Sequence, residues 1–190
     1  DAVARVLKSN RVNYWTGEEC RAFEREYAQW AGTNHAIAMG NGTLALDVAF
    51  PAMGIGAGDE VITTPRTYFA SSSTIVMAGA KPIFADIDPD SQNITPATVE
   101  PLIGPKTKAI LMVHLAGWPC DMEGFRALAD QYGLKLIEDC AQAHGASIKG
   151  KSVGSFGDVN GWSFCQDKII TTGGEGGMTT VNDEALWKAM

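Results

Sequence analysis

Lys168 stands in surroundings that packing alone explains poorly. It follows the apolar run Trp162-Ser163-Phe164-Cys165 and the pair Gln166-Asp167, and it precedes Thr171, Thr172 and four glycines between Gly173 and Gly177, broken only by Glu175. A lysine held beside a buried strand acts as an amine nucleophile if it can lose its charge, which burial near a cation favours. Three other stretches offer chemistry. Asn41-Gly42-Thr43, at a helix start, presents free backbone N–H groups and a hydroxyl that suit an anion. Phe69, at the head of another helix, presents a ring. Asp139, just past an apolar strand and followed by Gln142 and His144, is a carboxylate that needs a cationic partner if buried. Each has a plainer explanation when taken alone. Asn-Gly-Thr is a common helix cap, Phe69 a core residue, Asp139 a turn cap, His144 a structural hydrogen-bonder, and a lone lysine usually a solvated side chain.

The elements that must position these residues alternate. Short apolar runs occur at 35–39, 60–64, 82–86, 108–114, 134–138, 159–165 and 178–181, with helical patterns at 18–31, 43–53, 69–79, 95–103 and 121–132. In the first helix Phe23, Tyr27 and Trp30 recur at i, i+4, i+7 and Gly32 sits at the capping position. Strands alternating with helices predict right-handed βαβ units: an α/β fold of three layers, α/β/α, around a mostly parallel seven-stranded sheet. The last two strands are joined by the glycine loop without a helix, so that pair need not be parallel. Pro51 should kink or end the helix over 43–53. Residues 1–33 read as an N-terminal arm and helix, and 34–190 as one large domain. Ligands of such sheets bind beyond the carboxyl ends of the strands, and Gly42, Thr43, Phe69, Asp139 and Lys168 all follow strand ends.

One cofactor requires this set together. Pyridoxal phosphate needs a lysine for a Schiff base, a carboxylate at its pyridinium nitrogen, a phosphate cradle and an aromatic over the ring.

The blocks GNGTLAL (40–46), GIGAGDEVITTP (54–65), PIFADIDPDSQNI (82–94), IEDCAQAHGA (137–146), KSVGSFGD (151–158) and WSFCQDKIITTGGEGGM (162–178) resemble, in order, the DegT/DnrJ/EryC1/StrS family of sugar aminotransferases, within fold type I of the pyridoxal phosphate enzymes. The resemblance implies Lys168 as the Schiff-base lysine, Asp139 at the ring nitrogen, Gln142 on the 3-hydroxyl side, Phe69 stacked on the ring, and Gly42, Thr43 and Ser163 on the phosphate. It also implies transfer of an amino group, with glutamate as donor, to a keto group of a nucleotide-linked sugar, in a cytoplasmic homodimer serving polysaccharide or natural-product biosynthesis. Cys165 stands where the family more often has His or Tyr, and Ile169 where it has Asn. Family members are about twice as long, which implies that a small C-terminal domain is missing here.

Composition removes other classes. Of 190 residues 45% are hydrophobic and 19% charged, as in a globular protein with a core. The net charge of −7 argues against nucleic acid as a partner, and no apolar run is long enough to span a membrane. Cys20, Cys120, Cys140 and Cys165 lack metal-ligand spacing, so no metal is expected. Three alternatives remain at this level: a cofactor-binding regulator without turnover, an inactive fragment, and a sugar dehydratase of the same fold. The dehydratases carry histidine in place of the lysine, so Lys168 weighs against the last.

Overall fold

The computed structural model describes residues 1–190. Its strands are β1 (His35–Met39), β2 (Glu60–Thr63), β3 (Lys81–Phe84), β4 (Thr107–Val113), β5 (Lys135–Asp139), the short hairpin β6 (Ser147–Ile148) and β7 (Lys151–Ser152), β8 (Val159–Ser163) and β9 (Gly177–Val181). The helices are α1 (Ala2–Ser9), α2 (Glu19–Ala31), α3 (Gly42–Asp47), α4 (Ala49–Ala52), α5 (Ala70–Met77), α6 (Pro96–Val99), α7 (Met122–Tyr132) and α8 (Glu184–Ala189).

Seven strands form one sheet in the order β1-β9-β8-β5-β4-β2-β3. The pairs from β3 through β2, β4 and β5 to β8 are parallel, whereas β8–β9 and β9–β1 are antiparallel. The glycine-rich loop that joins β8 to β9 (164–176) forms no helix that could cross over the sheet, and the chain turns back beside itself. The first strand thus sits on the antiparallel side.

β4 shows why the sheet has two covered faces. Ile110 and Met112 pack with Ile62, Leu136 and, from α7, Phe125, Leu128 and Ala129. The intervening Leu111 and Val113 pack on the other face with Val61, Ile137, Leu46, Phe50 and Ile75. A strand buried on both sides must be apolar at every position, and Ala109–Val113 is. A third cluster joins Tyr27, Ala28 and Ala31 of α2 to Trp162, Phe164 and Met178. Gly32 caps α2 at φ 76°, as its position implies.

Two expected helices are shorter than the pattern suggests. The stretch over 43–53 divides into α3 and α4, because Pro51 has no N–H to give the carbonyl of Asp47. Only four residues of 95–103 are α-helical, capped by a Thr95–Thr98 box, before a single tight 3₁₀ turn containing Pro101. α1 has no counterpart among the expected helices. None of the helices is long and apolar enough to cross a membrane.

Candidate active site

A cavity of about 380 Å³ opens beyond the carboxyl ends of the parallel strands, within the usual range of about 300–1,000 Å³ for small-molecule sites. Lys168, Asp139, Gln142, Ser163, Gly42 and Thr43 all line it, although they come from three separate parts of the chain.

Local chemistry places each one. Asn41 caps α3, its Oδ1 accepting from Leu44 N–H at 2.9 Å. This fixes a helix start whose first N–H groups, those of Gly42 and Thr43, have no acceptor inside the helix. Gly42 has to be glycine: a Cβ there would lie 2.6 Å from Ser163 Cβ. A Cβ on Gly177 would strike the carbonyl of Asn41, so the glycine loop lets β9 pass against the same helix start. Lys168 lies in the turn after β8, its N–H donating to Cys165 C=O at 3.0 Å. Its side chain is 21% exposed, and Nζ is 3.4 Å from Asp167 Oδ1. Cys165 donates to Glu175 Oε1 at 3.2 Å across the mouth of the cavity, and the carboxylate beside it raises the thiol pKa.

Asp139 ends β5 and is only 6% exposed. Its Oδ2 accepts from Ser71 Oγ at 2.6 Å and its Oδ1 from Ala141 N–H at 3.1 Å. Both donors are neutral and the carboxylate has no ion pair. Burial pushes its pKa up against the opposing pull of these hydrogen bonds and of the charge of Lys168. Gln142 commits Oε1 to Ala116 N–H at 2.8 Å, which leaves its amide N–H groups for the cavity.

Beneath Asp139 lies a second buried carboxylate. Glu138 accepts from His114 Nε2 at 2.9 Å, from the N–H groups of Gly154 and Phe156 at 2.8 Å each, and from Gly157 N–H. Burial raises its pKa, but His114 and the backbone donors outweigh that and hold it below the usual value. His114 Nδ1 accepts from Cys120 N–H at 3.1 Å, so the proton toward Glu138 is on Nε2. With Cys140, these two residues bring potential ligand atoms within 4.8 Å of one another, yet hydrogen bonds within the protein already occupy the histidine and the carboxylate.

The sequence model of the DegT/DnrJ/EryC1/StrS aminotransferase family matches residues 1–190. The chain belongs to this family. It is 50% identical over 164 residues to the GDP-perosamine synthase of Caulobacter vibrioides, covering 86% of the chain and 44% of that relative. It is 44% identical over 195 residues to the L-glutamine:2-deoxy-scyllo-inosose aminotransferase of Streptoalloteichus tenebrarius, covering 100% of the chain and 46% of that relative. The solved structure of an aminotransferase from Psychrobacter cryohalolentis superposes with a TM-score of 0.98 at 65% identity, covering 100% of the chain and 48% of that structure. The chain spans about half the length of the relatives it matches. Structural neighbours of this kind also carry the sheet described above, so the chain has the fold type I architecture.

Of the expected site residues, one lies outside the lining of the cavity. Phe69 does not line the cavity; Tyr68 does. Phe69 occupies the capping position of α5, and both rings are largely exposed. His144 also departs from expectation. Neither of its ring nitrogens has a hydrogen-bond partner, and the ring packs against Trp162 and Phe164. Thr67 lines the cavity and Ser71 bonds to Asp139 behind it; neither carried a signal in the sequence, Thr67 lying in a loop and Ser71 in a run of hydroxyl residues of α5 of which any could face inward.

Proposed function

We propose that the cavity holds pyridoxal 5′-phosphate and that the whole protein transfers an amino group to a keto group of a nucleotide-linked sugar. The observation that carries this is Asp139: a buried carboxylate with two neutral donors and no cation, facing a cavity that also contains an amine. A protonated pyridine nitrogen is the partner such a carboxylate calls for.

The bound cofactor would supply an electron sink and a carrier for the amino group. In this proposal Lys168 Nζ would hold the cofactor at rest and, once the donor's amine displaces it, would be free to move a proton to and from the substrate carbon. Asp139 keeps the ring nitrogen protonated. The N–H groups of Gly42 and Thr43, with the hydroxyls of Thr43 and Ser163, hold the phosphate at the start of α3. Gln142, with its carbonyl oxygen already committed, donates toward the 3-hydroxyl oxygen. Tyr68 takes the ring-facing role expected of Phe69.

Similarity to a GDP-perosamine synthase supports a nucleotide-linked sugar as acceptor. Glutamate is the proposed donor, and glutamine is the competing candidate because a relative is named for it. Four free cysteines fit a cytoplasmic setting. A homodimer would cover the apolar groups left on the surface, among them Trp15 and Ile169. The partner and the remaining half of the protein would also bring positive charge for the diphosphate, which this acidic chain largely lacks.

The deciding experiment combines borohydride trapping with an amino-transfer assay on the full-length protein, using GDP- and UDP-linked keto sugars and each donor. The wild type should form a trappable imine and turn over one sugar class; Lys168→Ala should lose both while remaining folded. An imine that persists on the protein in Lys168→Ala would move the anchor to another lysine. Cofactor binding without amino transfer to any keto compound would favour a regulator instead.

A further inference from the structure

We infer that Thr67 and Ser71 form a one-way chain of hydroxyl donors that positions Asp139 and sustains its charge. This rests on the proposal that Asp139 serves the ring nitrogen of pyridoxal phosphate.

The direction of the chain follows from counting hydrogens. Ser71 Oγ lies 2.6 Å from Asp139 Oδ2, the short spacing typical of a hydroxyl bonded to a charged carboxylate. An ionised carboxylate can only accept, so the single hydroxyl hydrogen of Ser71 is committed to it. Thr67 Oγ1 lies 2.7 Å from Ser71 Oγ, and with the serine's hydrogen spent, Thr67 must be the donor. The two hydroxyls therefore point the same way, and each polarises the next. Thr67 lines the cavity while Ser71 is fully buried, so the chain runs from the cavity wall inward to the carboxylate.

The other hydroxyls of α5 show that this is not ordinary helix bonding. Ser72 donates to Phe69 C=O, and Ser73 and Thr74 donate to Ala70 C=O, all within their own helix. Such back-bonding is the usual fate of Ser and Thr in helices. Ser71 instead reaches a residue 68 positions away. Together with Ala141 N–H on Oδ1, it holds both carboxylate oxygens and leaves the group little freedom to rotate. Two neutral hydroxyls thus do part of what a buried cation would do, and the carboxylate stays ionised and aimed at the cavity.

The test uses two probes on the full-length protein: pyridoxal phosphate, and its 1-deaza analogue, in which carbon replaces the ring nitrogen. Dissociation constants are read by absorbance, independently of turnover. The wild type should prefer the natural cofactor. Ser71→Ala should shrink that preference by roughly tenfold, the equivalent of one charge-assisted hydrogen bond. Thr67→Val, at the outer link, should shrink it less, and Ser71→Thr should restore most of it. In an Asp139→Asn background Ser71→Ala should change nothing further. Equal weakening of both probes by Ser71→Ala would reduce the serine to packing and overturn the inference, as would an unchanged preference. If Ser71→Ala does not fold, Thr67→Val decides: an unchanged preference in that variant overturns the chain. A wild type that binds both probes equally would instead show that Asp139 does not serve the ring nitrogen, and the inference would fall with that proposal.

Discussion

Glu138→Gln should be among the costliest isosteric changes in the protein. The carboxylate accepts four hydrogen bonds: Phe156 and Gly157 N–H on Oε1, Gly154 N–H and His114 Nε2–H on Oε2. A glutamine offers one oxygen and one NH₂. With the oxygen at the Oε1 position, the NH₂ confronts Gly154 and His114; flipped, it confronts Phe156 and Gly157. A change of tautomer at His114 gives no escape, because Nδ1 would then carry a hydrogen toward Cys120 N–H. Every arrangement leaves at least two buried donors facing a donor. At about 1–3 kcal/mol each, the loss is about 4 kcal/mol. Urea unfolding of variant and parent at neutral pH tests this. With a slope of about 2 kcal/mol/M, the midpoint should fall by about 2 M with the slope unchanged. A fall under about 0.5 M would refute the argument that Glu138 ties the turn before β8, and hence the strand carrying Ser163, to the strand carrying Asp139.

In the cofactor-free protein Asp139 has a raised pKa, so its ionisation costs stability, and that cost sets in as pH rises through the ordinary aspartate value of about 3.9. Asp139→Asn should therefore gain on its parent in urea midpoint between about pH 4 and pH 7; a gain independent of pH would contradict this. His144 behaves in the opposite sense: burial, aided by the charge of Lys168, lowers its pKa from 6.5 to about 4. The unfolded chain takes up a proton near 6.5 that the native state refuses, so this contribution is present at neutral pH and lost as pH falls toward 4. His144→Leu should flatten that part of the stability profile, and an NMR titration of the ring near 6.5 would show the assignment to be wrong. Gly42→Ala should cost about 1–3 kcal/mol by overpacking against Ser163, measured by thermal or urea unfolding. Tyr68→Ala should weaken pyridoxal phosphate binding more than Phe69→Ala does, by absorbance titration, because only Tyr68 lines the cavity.

Much of the candidate site's arrangement was legible in the sequence because its main parts sit at strand ends. A strand's apolar pattern predicts where it stops, and in an α/β sheet the residues just beyond share one edge. That logic brought Lys168, Asp139, Gly42 and Thr43 together without a structure, and family motifs added Gln142 and Ser163; all six line one cavity. The three-layer architecture followed from the same alternation, as did the cap at Gly32 and the break forced by Pro51. What periodicity could not determine was orientation within a turn or a uniform helix. Tyr68 and Phe69 are adjacent aromatics at a helix start, and only the angle at which α5 leaves β2 decides which ring meets the cavity. Ser71 through Thr74 are four successive hydroxyls, and only the placement of β5 beneath them sends one to Asp139 while the rest bond to their own helix. The pairing of β1 with β9 and the bonds of Glu138 to a turn beyond the next strand are likewise contacts between distant segments. Local composition carries no record of such contacts, because their energy depends on where the rest of the chain has folded.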